Sequence, residues 1–232
     1  LATATLAAAF SAAAPAQLTP EGPELQVNTD TLDFQSRPDL AVDGAGRFVV
    51  VWTSSFEPLR LGDCCQTIQA RRLEVDGTPL GGQFEVSSQT TSYQLEPAVA
   101  ADAIGGFVVV WSSNGSGGTD TDFLSVQAQR FDVAAAPLGS RFQVNSYTPS
   151  GQYSPEIAMD SSGSFVVVWN SQGSSGTDTS LASIQARLFD ADGDPLGDEG
   201  RIGHTISAHV SSAVARKSSG ARLGRPANQR RF

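Results

Sequence analysis

The chain has 232 residues, of which 40% are hydrophobic and 17% are charged, and its formal net charge is −9. All 24 acidic residues, but only 8 of the 15 basic ones, lie between residues 17 and 199. This acidity excludes nucleic acid as a partner of that part, since phosphate binding needs clustered Lys and Arg. No stretch of about 20 apolar residues occurs, so no membrane span is predicted.

Residues 1–16 predict the remnant of a secretory signal peptide. They consist almost entirely of Ala, Leu, Thr, Phe and Ser and end in Ala14-Pro15-Ala16, a small-x-small pattern typical of a cleavage site. The alternative is an Ala-rich leader without regular structure. A signal peptide implies export, so the predicted localisation is secreted or cell-surface.

A repeated unit fills residues 17–199. Its tryptophans, Trp52, Trp111 and Trp169, lie 59 and 58 residues apart, and each ends a Phe-Val-Val-Val-Trp run. A near-constant period of this size indicates a repeat architecture. The predicted units are 38–96, 97–154 and 155–199, and an extra strand near 24–28 precedes them because Gln26-Val27-Asn28 matches Gln143-Val144-Asn145.

Each unit predicts four short strands. The first alternates apolar and polar residues, and an Asp-containing turn leads to the Phe-Val-Val-Val-Trp strand, whose continuous apolar character indicates burial on both faces. A Gly/Ser/Thr/Asp loop, an Ile-Gln-Ala-Arg strand, a Pro-Leu-Gly turn and a Phe-x-Val strand follow. In the third unit Gly200 replaces the Phe, so that unit is expected to lack its fourth strand.

These features predict an all-β, β-propeller-like array of about three four-stranded antiparallel repeats. Propellers typically close with about 4 to 8 blades, so three units form an incomplete ring. The chain is then a fragment of a longer array, self-associates, or stacks as an open β-rich assembly.

The repeat resembles one that is common in large exported bacterial proteins of undefined function. The resemblance rests on Phe-Val-Val-Val-Trp, Ile-Gln-Ala-Arg-x-Phe-Asp, Pro-Leu-Gly and Phe-Gln-Val-Asn, and it covers roughly residues 24–197. It implies a propeller-like fold that accompanies calcium-binding or adhesion modules, and it implies no enzymatic residues. Further repeats would be expected where residues 200–232 stand.

Residues 200–232 predict a basic, disordered tail. This segment carries seven basic residues and no acidic one. Such a tail is typical of an arm that binds an anionic surface or nucleic acid. The alternative is that translation leaves the frame of the repeat here, since the pattern stops within a unit.

Two sets of residues are candidate ligands. Asp190, Asp192 and Asp194 alternate in one turn, as acidic ligands of calcium do, and an ordinary hairpin turn is the alternative. The Gly/Ser/Thr/Asp loops could bind a cation or sugar hydroxyls, and loops carry function more often than scaffolds do. The candidate residues in these loops are Thr119, Asp120, Asp122, Thr177 and Asp178. A solvated loop with no ligand is the alternative.

The sequence predicts a non-enzymatic module. No His lies between residues 17 and 199, so Ser-His-Asp and Cys-His catalysis lack a base, and no carboxylate pair for glycosidase chemistry is recognisable. The predicted function is an exported module for binding or adhesion through rim loops, with glycans or cell-envelope components as partners and with self-association. The predicted cofactor is none or calcium. The alternatives are a fragment of a carbohydrate-active propeller enzyme and a structural spacer.

Overall fold

A computed structural model describes residues 22–31, 34–55, 66–87, 93–115, 118–173 and 182–201. Its strands form three antiparallel sheets of four, each a meander in chain order, which we term blades one, two and three. The strands are β1 (Phe34–Val42), β2 (Phe48–Ser55), β3 (Gln66–Leu73), β4 (Phe84–Glu85), β5 (Gln94–Ala101), β6 (Phe107–Asn114), β7 (Leu124–Phe131), β8 (Phe142–Gln143), β9 (Gln152–Met159), β10 (Phe165–Ser171), β11 (Ser183–Phe189) and β12 (Gly200–Arg201). The predicted all-β array of three four-stranded repeats is confirmed.

The Phe-Val-Val-Val-Trp runs form the second strand of each blade. Their β-branched and aromatic side chains favour extended backbone and fill both faces of the sheet. In β6, every residue from Phe107 to Ser113 is buried. This strand pairs with β5 on one side and with β7 on the other.

The Asp that follows the first strand organises the turn into the second. Asp43 Oδ1 accepts hydrogen bonds from the amides of Ala45 (2.8 Å) and Arg47 (3.0 Å). In the next blade, Asp102 Oδ1 accepts from the Gly105 amide at 2.8 Å. Asp satisfies turn amides well, so these carboxylates have a structural role.

The core lies between neighbouring blades. We call the face of a blade that carries its Trp the front face and the opposite face the rear face. The front face of blade two packs against the rear face of blade one through Val99, Phe107, Val109, Trp111 and Phe131 on one side and Val49, Val51, Ile68, Ala70 and Val86 on the other. Blade three packs on blade two in the same way. Each fully buried side chain of this size contributes about 1.5–3 kcal/mol through burial.

Residues 22–31 differ from the prediction for that part of the chain. No strand forms at 24–28 within the described residues, and the segment pairs with none of the three sheets. It lies against blade one instead, where Arg71 Nη1 donates to the Val27 carbonyl at 2.7 Å. A side-chain hydrogen bond thus holds this segment, and within the described residues no strand pairs with it.

The third blade also differs from expectation. Gly200 and Arg201 form β12 and pair with Ala186 and Gln185 of β11. The absence of Phe at position 200 does not prevent this, because a strand ladder is made by backbone groups. The prediction that the third unit lacks a fourth strand was therefore wrong.

Several predictions fall outside the described residues. These concern the signal peptide at residues 1–16, the tail beyond Arg201, and the loop residues Thr177 and Asp178. Within the described ranges, the model contains no helix with the length and apolar character that a membrane crossing requires.

Candidate functional site

Each first strand contains a residue in the left-handed backbone region directly before a proline. Arg37, Glu96 and Ser154 have φ of 53°, 55° and 51°, and they precede Pro38, Pro97 and Pro155. The register of each first strand shifts at this point. Non-glycine residues with such backbone angles cost about 1–3 kcal/mol each and cluster at functional sites.

The three strained residues contact one another across the blades. Arg37 Nη1 forms an ion pair with Glu96 Oε1 at 2.9 Å. The other carboxylate oxygen, Glu96 Oε2, accepts from the amide and the hydroxyl of Ser154, both at 2.9 Å. It also accepts from the Ser112 hydroxyl at 3.2 Å, so blade two links blades one and three through one carboxylate.

These residues surround an open cavity of about 240 Å³, which we call the proline mouth. The proline mouth is lined by Arg37, Pro38, Asp39, Glu96, Pro97, Ser154, Pro155 and Glu156. Three carboxylates therefore line it, one from each blade. Asp39 Oδ2 accepts from the Val99 amide at 2.9 Å, which anchors its side chain to the neighbouring blade.

The proline mouth combines hydrogen-bond acceptors and donors of the kind that suit hydroxyl groups. Carboxylates accept hydrogen bonds from hydroxyl groups, and the guanidinium of Arg37, with 60% of its side chain exposed, presents several fixed donors. Charge-assisted hydrogen bonds of this kind are about twice as strong as neutral ones. The polar groups of the proline mouth lie on the first strands of the three blades, and the sheets hold these groups in fixed positions.

A larger cavity of about 480 Å³ lies at the opposite ends of the first strands. Its lining is mainly apolar and includes Leu40, Val42, Val99, Ile157 and Met159. The carboxylates at its edge belong to the turns that follow the first strands, where they accept hydrogen bonds from backbone amides. We therefore place the candidate site at the proline mouth, where several polar groups converge.

Sequence reasoning missed the proline mouth. A proline stands at the start of each predicted unit, but the residues before the prolines differ: Arg, Glu and Ser. Variation among the three units at the residue before the proline is the sequence signal that indicates these three positions. The motifs that recur in all three units form the core, so they indicate other residues.

The loop residues predicted to bind ligand have unequal positions. Asp120 is buried at 2% exposure, and its Oδ2 accepts from Asn145 Nδ2 at 2.7 Å. Burial raises the pKa of Asp120 above its ordinary value, opposed by the hydrogen bond from Asn145. Thr119 and Asp122 are exposed, and Asp122 Oδ2 accepts from the Ser150 amide at 3.0 Å. The structure thus buries Asp120 inside blade two and leaves Thr119 and Asp122 at the surface of the loop.

The predicted calcium residues form a hairpin turn. Asp190 Oδ1 accepts the amides of Asp192 (3.0 Å) and Asp194 (2.9 Å). The Asp192 carboxylate lies 3.7 Å from Arg130 on blade two. No group of three metal-ligating side chains occurs in the part of the chain that the structure describes, so these carboxylates are not brought together there.

The blades and their mouth define the fold as part of a β-propeller. No protein-family model matches the chain, and no curated protein matches it. Among solved structures, an N-acetylgalactosamine deacetylase from F. plautii, in complex with blood group B trisaccharide, is similar with a TM-score of 0.52 and 12% identity over 79% of this chain and 56% of that one.

Two further solved structures are similar at lower scores. The Hadza microbial sialidase Hz136 has a TM-score of 0.48 and 12% identity over 69% of this chain and 36% of that one. A GH43 endo-arabinanase from Bacillus licheniformis has a TM-score of 0.43 and 15% identity over 75% of this chain and 61% of that one. The chain therefore spans between 36% and 61% of the length of these three proteins.

The structural likeness overturns one prediction. The solved structure with the TM-score of 0.52 is an enzyme, an N-acetylgalactosamine deacetylase, which contradicts the prediction of a non-enzymatic module. That prediction was wrong because it took a repeat architecture without His to carry no chemistry. At such identities the likeness shows the fold alone, and reaction and substrate have to be argued from the residues of this chain.

Proposed function

We propose that the chain forms part of a carbohydrate-active propeller that binds an oligosaccharide at the proline mouth. The observation that carries this proposal is the convergence of Arg37, Glu96 and Ser154, one from each blade, around an open polar cavity. Each is held in a strained backbone conformation. A scaffold retains such strain where it positions functional groups.

The carboxylates of the proline mouth suit glycosidic-bond chemistry. Most glycosidases use two carboxyl groups that flank the scissile bond, one as an acid and the other as a base or nucleophile. Glu96 is engaged by Arg37 and Ser154, so we assign it to holding and orienting the sugar. Asp39 and Glu156 lie on the flanking strands and are the candidates for the acid and base.

The test measures glycan binding and glycan hydrolysis separately. The purified chain is titrated with a panel of plant and host oligosaccharides by calorimetry, and product release from the same panel is followed as reducing sugar. Glu96→Gln keeps the shape of the side chain but removes its charge. We expect at least about a tenfold loss of affinity, which corresponds to about 1.4 kcal/mol.

Glu74→Gln is the matched control. Glu74 follows β3 and lies at the opposite ends of the strands from the proline mouth, so its loss of charge should leave affinity unchanged. Asp39→Asn should abolish product release while binding persists. Equal affinities in Glu96→Gln and Glu74→Gln, or no binding by any member of the panel, would refute the proposal.

Export of the protein also stands as a proposal. It is supported by the apolar composition of residues 1–16 and by the acidic, polar character of the repeats. Expression in a bacterial host with fractionation of periplasm and medium tests it. Recovery of the chain in the cytoplasm alone, with residues 1–16 still attached, would contradict it.

A further inference from the structure

Residues 24–30 occupy the place of a fourth strand that belongs to a preceding blade. In blade three, Arg187 Nη1 donates to the Val144 carbonyl, just after the fourth strand of blade two, at 2.9 Å. In blade one, the equivalent Arg71 Nη1 donates to the Val27 carbonyl at 2.7 Å. Val27 therefore lies relative to blade one as Val144 lies relative to blade three.

A second pair of contacts repeats the same relation. Gln83 Oε1 accepts from the amide of Thr29 at 3.0 Å and from its hydroxyl at 3.2 Å. At the equivalent position of blade three, the Glu199 carboxylate accepts from the amides of Ser146 and Tyr147. Two independent contacts thus place the segment in the register of a fourth strand, although within the described residues it has no third strand beside it.

The front face of blade one is open along its first strand, β1, although Trp52 and Leu73 of the same face are buried. Leu40 is 56% exposed, whereas its equivalents Val99 and Ile157 are 2% and 3% exposed. Val99 is covered by blade one and Ile157 by blade two. At β1, blade one therefore exposes part of the surface that another blade's rear face covers elsewhere in the chain.

The rear face of blade three also exposes an apolar side chain that is buried in the other two blades. Ile184 is 51% exposed, whereas the equivalent Ile68 and Val126 are both fully buried. Its fourth strand, β12, consists of Gly200 and Arg201 and offers no apolar side chain at position 200. In the segment before blade one, Leu25 stands at the position of the missing aromatic residue.

We propose that two copies of this chain associate head to tail, with the rear face of blade three of one copy on the front face of blade one of the other. Residues 25–28 of one copy then pair with β11 of its partner in place of β12. The same contact formed twice gives a closed two-fold ring of six blades, within the range of about 4 to 8 that propellers adopt. The new contact repeats the blade–blade interface already present twice within the chain.

The first test is the mass of the full chain in solution by sedimentation velocity across a concentration series. The wild-type chain should sediment as a dimer. Leu40→Glu and Ile184→Glu each place a charge in the contact and should each yield a monomer with an unchanged circular dichroism spectrum. Ile104→Glu is the matched control, since Ile104 is 76% exposed in a turn of blade two, and this variant should remain dimeric.

The pattern among the variants identifies the contact. A monomeric wild-type chain would overturn the proposal and leave further blades of a longer array as the partner of both faces. A dimer that only one of the two Glu variants dissociates would also overturn it, because that result indicates a face paired with itself.

Hydrogen exchange tests the strand pairing without a substitution at the interface. In the dimer, amides within residues 25–28 should be protected, and protection should disappear in Leu40→Glu. Fast exchange of these amides in a wild-type dimer would overturn the strand exchange. Glycan binding at the proline mouth is measured independently of these readouts, so failure of one proposal does not imply failure of the other.

Discussion

Replacement of Trp111 by Phe should destabilise the interface of blades one and two. Trp111 is completely buried in this interface, and its indole N–H donates to Gln94 Oε1 at 2.7 Å. Gln94 is itself completely buried, and its Nε2 atom has no hydrogen-bond partner among the residues that the structure describes. Trp111→Phe removes the indole N–H that donates to Gln94 Oε1. The amide of Gln94 then remains as a polar group in an apolar core.

The expected cost has two parts. Reduction of the ring leaves a small cavity, which costs about 1–2 kcal/mol, less than the full deletion of an aromatic side chain. A buried acceptor without a partner costs about 1–3 kcal/mol more. The free energy of unfolding should thus fall by about 2–5 kcal/mol, a large share of the stability of a typical domain.

A double-mutant cycle separates the two parts. Gln94→Met fills a similar volume without polar atoms, and on its own it leaves the indole N–H without an acceptor. In Trp111→Phe with Gln94→Met both polar partners are gone, so the double variant should cost about 1–3 kcal/mol less than the two single changes together. Guanidinium unfolding followed by far-ultraviolet circular dichroism gives all four values. Costs that add within about 0.5 kcal/mol would refute the reasoning.

Two further predictions concern Asp120 and a turn glycine. Burial raises the pKa of Asp120, so its contribution to stability is present at low pH and is lost as pH rises through the folded-state pKa. Asp120→Asn should therefore gain stability relative to the wild type as pH rises through the acidic range, and a difference that stays constant in unfolding curves would contradict this. In Gly105→Ala, a left-handed φ of +98° combines with a new Cβ 2.8 Å from Arg47 Nη2, so the variant should lose about 2 kcal/mol or more. Gly82→Ala, which meets no atom within 4 Å, should lie within about 0.5 kcal/mol of the wild type by thermal or chemical denaturation.

The strands were predictable from the sequence because side-chain pattern and local structure agree there. The Phe-Val-Val-Val-Trp runs, the turn Asp residues and the constant period each predict the same blade, and the pairing Val109 with Val99 follows that pattern. The role of the tryptophans between blades was also predictable, since Trp111 ends an apolar run at a fixed place in the unit.

The candidate site was not predictable because it depends on backbone strain and on proximity between units. Arg37 and Glu96 lie 59 residues apart, and nothing in either local sequence indicates the ion pair that joins them. The burial of Asp120 was not predictable because its Gly- and Thr-rich surroundings are typical of solvated loops. The partner that draws it into the blade, Asn145, belongs to a different segment.

The left-handed residues before the prolines have a consequence for how this chain can diversify. Arg37, Glu96 and Ser154 share one backbone conformation while their side chains are cationic, anionic and neutral. The blades therefore accommodate side chains of different charge at this position, while the apolar residues of their core stay the same. A library randomised at these three codons, with the prolines retained, would vary the chemistry of one pocket on a constant frame and could be selected for affinity toward chosen sugars.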